Sequence, residues 1–185
     1  DATGANDQVG TIAIGYAALG ALTSGARNVA IGYTAGGLIT DGTDNTLIGY
    51  QSGNQGTYGI VGGDYNTGVG AYSMGASAGA AITGSSNTAI GYNAMLEAQG
   101  AVANNTAVGA TALQNITTGQ YNVIMGFQAG DALTDQTHNT AIGTDALGGS
   151  SAVDQTVIVG SQAGLGAMTS DADGTVAVGY ASLAA

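Results

Sequence analysis

Few side chains in this chain carry groups that acid–base, nucleophilic or metal chemistry requires. His138 is the single histidine, and it stands directly before Asn139 with no second titratable group beside it in sequence. A general base needs such a partner to set its proton affinity, so His138 reads as a turn residue. Serines are abundant, and GxSxG occurs once, at Gly75 to Gly79, but no strand-to-helix turn is predicted there to make it a nucleophile elbow. A Ser-His-Asp set would have to be assembled around that one imidazole, and no residue is expected to be catalytic. Asp7, Asp41, Asp135 and Asp171 recur at one offset before a repeated phrase, with Asp44 and Asp173 close by. Carboxylates in one corner column, completed by backbone carbonyls, are the chemistry that calcium uses. The calcium-loop patterns D-x-[DN]-x-[DN]-G and GGxGxD are absent. The candidates Asp41, Asp44, Asp135, Asp171 and Asp173 therefore read first as solvated turn aspartates, and no cofactor is expected. Gly36-Gly37 and Gly148-Gly149 are turns, because no Lys follows either pair to complete a phosphate cradle.

Charge narrows the partners. The net charge is −11, from 12 acidic residues against Arg27 alone. Phosphate binding needs clustered cations, so neither nucleic acid nor an anionic membrane surface is an expected partner. There is no cysteine, which leaves stability to ladder hydrogen bonds and stacked side chains. No apolar run reaches transmembrane length, and no basic-then-apolar leader is present. The first residue is Asp rather than Met, as expected of a processed chain or an excerpt.

What must position these residues is a repeat. The phrase Asn or Thr, then Thr, Val or Ile, a small or aliphatic residue, Ile, Val or Met, and Gly occurs ten times, ending at Gly15, Gly32, Gly49, Gly70, Gly91, Gly109, Gly126, Gly143, Gly160 and Gly179. The intervals are 17, 17, 21, 21, 18, 17, 17, 17 and 19 residues. Such short periods predict an all-β parallel β-solenoid, or β-roll, of about ten short coils. Residues 1–185 then form a single repeat array. With 44% hydrophobic residues at a fixed period, the 34 glycines do not signal disorder.

Strand alternation places Ala and Gly of NTAIG on one face and Thr and Ile on the other. The aliphatic column Ile14, Ile31, Ile48, Val69, Ile90, Val108, Met125, Ile142, Val159 and Val178 is read as the buried ladder. The small column Ala13, Ala30, Gly68, Ala89, Ala107, Ala141 and Ala177 is read as a face that another subunit approaches. Asn28, Asn45, Asn66, Asn87, Asn105, Asn122 and Asn139 suit a corner where amides hydrogen-bond along the stack. Aromatics after the glycine, Tyr16, Tyr33, Tyr50, Tyr92, Phe127 and Tyr180, are expected to stack one rung apart. The two 21-residue coils should bulge on one side, around Tyr58 to Tyr65 and Gly75 to Ala81. At about 4.8 Å per rung, ten coils give a rod of roughly 48 Å.

The phrase N-[TV]-A-[IV]-G-Y-x-A resembles the head repeats of trimeric autotransporter adhesins, the YadA-like β-roll, and related repeats in bacteriophage tail-fibre shafts. The resemblance spans residues 11 to 183. It implies three chains side by side or intertwined as a homotrimer, and work as a rigid extracellular, cell-surface or virion fibre with a role in attachment. The adhesin heads use shorter coils, so the 17- to 21-residue coils here lie nearer the tail-fibre style.

The two ends of the chain predict something further. Joining the six residues after Gly179 to the fifteen ending at Gly15 gives a spacing of 21, a value already used inside the chain. Subunits stacked head to tail would form a filament by a non-closing contact; an excerpt of a longer fibre is the alternative. Two further classes stay open. One is an adhesin tip that binds a cell-surface glycan or matrix ligand, for which the long coils Asn54 to Tyr65 and Ser73 to Ala81, with Tyr58 and Tyr65, offer the exposed surface. The other is an ice-binding solenoid built on Thr46, Thr67, Thr88, Thr106 and Thr140, against which count the valines in that column and the varying coil length.

Overall fold

Every phrase forms a three-residue strand, and the strands stack in register into one parallel sheet. The computed structural model describes residues 8–76 and 79–184; Asp7 and positions 77–78 of the second long coil lie outside them. In chain order the strands are β1 (Ile12–Ile14), β2 (Val29–Ile31), β3 (Thr46–Ile48), β4 (Asn54–Gln55), β5 (Tyr58–Gly59), β6 (Thr67–Val69), β7 (Thr88–Ile90), β8 (Thr106–Val108), β9 (Val123–Met125), β10 (Thr140–Ile142), β11 (Val157–Val159) and β12 (Val176–Val178). Ten of them follow one another in the sheet, while β4 and β5 form a small antiparallel hairpin inserted between β3 and β6. The register never slips: Ile48 pairs with Val69 across the hairpin as Ile14 pairs with Ile31. A short 3₁₀ turn at Ser170–Ala172 is the single helical element among the described residues. Architecture and repeat length thus agree with a parallel β-solenoid of ten coils.

Which face turns inward is set by the asparagines. Asn28, Asn45, Asn66, Asn87, Asn105 and Asn122 are wholly buried, and Asn139 nearly so. Each amide oxygen accepts from the backbone N–H at the same position one coil later, for example Asn45 on Asn28 at 2.9 Å and Asn122 on Asn105 at 3.0 Å. Each Nδ2 donates to a turn carbonyl of the next coil, as Asn28 does to Gly42 at 2.7 Å and Asn105 to Gly119 at 2.9 Å. Buried amides are tolerated because they are satisfied in this way. With Asn pointing in, the two-residue period sends the next residue out, the third in and the fourth out.

The expected facing is therefore corrected. The small column lies inside: Ala30, Leu47, Ala89, Ala107, Ile124, Ala141 and Ile158 are fully buried, so this face is not free for another subunit. The column Ile14, Ile31, Ile48, Val69, Ile90, Val108, Met125, Ile142, Val159 and Val178 lies outside. Ile90 and Met125 are each 40% exposed and Ile142 39%. Ile31, Val69, Val108 and Val159 are half-buried against their neighbours in the column.

A thin core explains why the inner strand position is usually small. It faces the residue six places later in the same coil, and the two alternate in size. Ala89 goes with Met95, Ala107 with Leu113 and Ala141 with Leu147, all buried. Leu47, Ile124 and Ile158 go instead with Gly53, Gly130 and Gly164, where a Cβ would lie 2.6, 3.1 and 3.2 Å from those larger side chains. In the second coil both positions are small, Ala30 and Gly36, and Leu19 and Leu47 from the adjacent coils fill the space. Close packing of this kind tolerates neither a gap nor an extra methylene. Ile39, Ile60, Ile82, Ile116 and Leu133 complete the interior on the opposite arc.

The phrase glycines let coils approach. Their φ values run from 126° at Gly15 to 144° at Gly126, a region L side chains rarely enter. A Cβ at Gly109 would sit 2.3 Å from the carbonyl oxygen of Gly126 one coil on. Extra residues of the long coils are absorbed away from the sheet, where Tyr58, Ala76 and Glu97 form a local antiparallel ledge through Tyr58–Ala76 and Ala76–Glu97 bridges.

Candidate interaction face

The outer side of the sheet presents two columns on ten rungs. One is the Ile/Val/Met column already described. Two residues earlier in each strand runs a second, Ile12, Val29, Thr46, Thr67, Thr88, Thr106, Val123, Thr140, Val157 and Val176. No charged residue interrupts either column. Because β3, β6, β7 and β8 are sheet neighbours, Thr46, Thr67, Thr88 and Thr106 make an unbroken run of four outward hydroxyl-bearing residues. Sequence reasoning put these residues on one face but turned that face inward. The signal that orients it is the polar Asn two residues before the small position, since an amide ladder needs shelter from water to be worth forming.

A third column borders the face. Tyr16, Tyr33 and Tyr50 stack with centroids 5.1 and 5.3 Å apart and planes inclined by 14° and 12°. In the next coil the expected position holds Ala71, and Tyr72 fills the place edge-on, 5.3 Å from Tyr50 and 6.3 Å from Tyr92. Desolvation, reinforced by the Tyr50 phenol beside it, raises the Tyr72 phenol above its ordinary pKa. The sequence pattern skips Tyr72 because it is one residue out of phase.

The remaining candidates lie on corners and turns. The residue before each Asn takes a left-handed conformation, with φ 55° at Arg27, 57° at Asp44 and Tyr65, 60° at Tyr121 and 60° at His138. Stacking satisfies this strained corner: the Arg27 guanidinium donates to both Asp44 oxygens at 2.6 and 2.7 Å, and the His138 imidazole stacks on Tyr121 at 4.9 Å. The Arg27 hydrogen bond and charge hold the Asp44 carboxyl below its usual range. Asp41 accepts from the Thr40 hydroxyl at 3.1 Å, Asp135 accepts from Gln136 Nε2 at 2.5 Å, and Asp173 accepts from the Asp154 N–H at 2.8 Å. Asp171 is exposed in the 3₁₀ turn. The structure does not bring these five carboxylates together, and among the described residues no group of three or more His, Cys, Asp or Glu could hold a metal ion. Tyr58 lies in β5, half-buried against the core, whereas Tyr65 stands on the corner column, 61% exposed.

Asp131 stands beside a second acid, Asp145. Burial pushes the Asp131 carboxyl up, and the Asp145 charge adds to it. A carboxyl whose folded pKa is raised favours folding below its unfolded pKa and opposes it as pH rises through the folded value. Asp131→Asn should therefore raise the melting temperature at pH 7. The gain should disappear near pH 3, which paired thermal scans at the two pH values check.

No helix among the described residues is long and apolar enough to cross a membrane. No family model matches the chain, and no curated protein or solved structure matches it significantly.

Proposed function

We propose that the chain is a rigid, non-enzymatic fibre unit whose copies associate side by side through the outer sheet face, giving a homotrimer that serves as an extracellular or virion attachment structure. The observation that carries this is the uncharged Thr/Val and Ile/Val face, open on all ten rungs. A strip roughly 48 Å long and about 15 Å wide approaches the roughly 800 Å² per partner of a stable interface, and exceeds the apolar patch a monomer ordinarily leaves in water. Charged side chains such as Arg27, Asp44 and Asp135 sit instead on corners and turns, as at the rim of an interface. The number three follows the resemblance of the phrase to adhesin heads and tail-fibre shafts. Continuous ladders along the axis supply stiffness.

Sedimentation velocity tests the association. A species of three times the 17.7 kDa chain mass is expected, and Ile90→Lys together with Ile142→Lys should return it to one chain with unchanged circular dichroism. A wild-type chain that stays single at all concentrations would remove the proposal.

A second reading is favoured by one observation. The outward run Thr46, Thr67, Thr88 and Thr106 keeps one register through both long coils, so varying coil length does not interrupt the array. An ordered hydroxyl and methyl lattice of that kind suits ice. Thermal hysteresis by a single-chain species, lost in Thr67→Lys, would favour this reading over self-association.

A further inference from the structure

One-electron oxidation has few places to go in this chain. Of the side chains that readily give up a single electron, Trp and Cys are absent, and nine Tyr remain. Five of these, Tyr16, Tyr33, Tyr50, Tyr72 and Tyr92, stand on successive coils with ring centroids 5.1, 5.3, 5.3 and 6.3 Å apart. The arrangement changes at Tyr72. Tyr16, Tyr33 and Tyr50 stack face on face, inclined by 14° and 12°, which keeps their ring edges from meeting. Tyr72 stands one residue out of phase, in a left-handed conformation with φ 58°, and its ring is turned 76° to that of Tyr50. Its N–H donates to the Tyr50 carbonyl at 2.9 Å, so the two main chains are tied as well. The Tyr72 phenol is raised above its ordinary pKa by desolvation, then by the Tyr50 charge and a hydrogen bond with that phenol, which makes the two hydroxyls neighbours.

We propose that Tyr50 and Tyr72 form a site of oxidative cross-linking, joined within one chain through their ortho carbons as o,o′-dityrosine. The co-reactant is a one-electron oxidant of the peroxidase class, working on hydrogen peroxide. Each phenol gives up one electron and one proton and becomes a phenoxyl radical, whose unpaired electron is shared with its ortho carbons. The two unpaired electrons form the new carbon–carbon bond. Each ring then passes the hydrogen of its coupled carbon, as a proton, through solvent to its own oxygen, and both phenols are restored. The two electrons and two protons given up reduce one hydrogen peroxide to two waters. Twisted rings with adjacent hydroxyls are the arrangement of the product, so this pair needs less rotation than the stacked pairs. Holding the two radicals together replaces a diffusional encounter between them. The bond closes the coil that carries the inserted β4–β5 hairpin, where 21 residues separate consecutive phrase glycines. In a chain without cysteine it restricts the unfolded state as a disulfide does elsewhere. Tyr50 is exposed and Tyr72 half-buried in the single chain, and the reaction does not depend on subunit association.

The test treats the dilute chain with a peroxidase and hydrogen peroxide and follows dityrosine fluorescence, denaturing electrophoresis and a peptide map by mass spectrometry. Fluorescence should appear in a band of one-chain mass. The map should give a joined Tyr50 and Tyr72 peptide pair, lighter by two hydrogens, as the main product. The yield should fall about fivefold in Tyr72→Phe and in wild type oxidised in urea, and stay unchanged in Tyr65→Phe, on the corner column. The cross-linked chain should melt about 5 °C higher than the untreated one. Circular dichroism before oxidation shows whether Tyr72→Phe is folded, and the wild-type map stands without it. A main product at another pair, cross-links chiefly between chains, a yield indifferent to urea, or no dityrosine would each overturn the site. A cross-linked chain that melts no higher would overturn its stabilising role.

Discussion

Replacing Gly109 by Ala should cost about 3–5 kcal/mol and abolish cooperative folding at 37 °C, although it adds one methyl group. Two effects coincide at this residue. Its φ of 137° lies where an L side chain is strained, and the added Cβ would meet the Gly126 carbonyl oxygen at 2.3 Å. Neither can relax locally, since the Gly109 N–H donates to Ile90 and the Gly126 N–H to Val108, both at 2.8 Å. Gly56→Ala separates the two effects. Gly56 also has positive φ, 66°, but nothing lies within 4 Å of its Cβ position. It should lose about 1 kcal/mol from conformation alone. Urea denaturation of both variants checks the difference, and equal losses would mean that coil-to-coil contact does not restrict the phrase glycine.

The second large effect is expected in the buried amide ladder. Asn105 accepts from the N–H and the Nδ2 of Asn122, both at 3.0 Å, and donates to Gly119 at 2.9 Å and Ala103 at 3.1 Å. Asn105→Leu strands those partners at a fully buried position, at a cost of about 2–4 kcal/mol. Asn105→Asp keeps the acceptors but removes the donors and buries a charge. A buried carboxyl has a raised folded pKa, so its penalty should be full at neutral pH and shrink as pH falls through that value. Chemical denaturation of the Asp variant at pH 7 and pH 4 checks the sign. A loss that does not change with pH would place the side chain in contact with solvent. Because a solenoid sums local interfaces, either substitution should first open the middle of the rod.

These two columns show what the residues make legible and what they do not. The interval between Gly15, Gly32 and their successors sets the coil count, because each coil must return a glycine to the same corner. The Asn column can be read as a stacking corner from its recurrence alone. Facing was harder, because Ile is more often buried than Ala, and that preference turned the strand the wrong way. The inner position is decided by two local facts instead. Asn28 must be sheltered to bond along the stack, and Leu47 with Gly53 or Ala107 with Leu113 must share one fixed volume. That exchange of size between positions six apart is visible in the sequence once the repeats are aligned with each other. Tyr72 was missed because Ala71 holds the expected place in its coil. Asp41, Asp135 and Asp171 share an offset but precede the third, eighth and tenth phrases, so a common column still leaves them in non-adjacent coils.

The side-by-side association rests on the outward face, and the absence of native cysteine makes that face directly measurable. Single cysteines placed at Thr88, Ala89 and Ile90 report out, in and out along one strand. Alkylation rates should be slow at position 89 at every protein concentration. At 88 and 90 they should be fast when the chain is dilute and fall sharply as it associates. Rapid alkylation at 88 and 90 that persists at high concentration would contradict burial of this face between subunits, and rapid alkylation at 89 would contradict the orientation of the sheet itself.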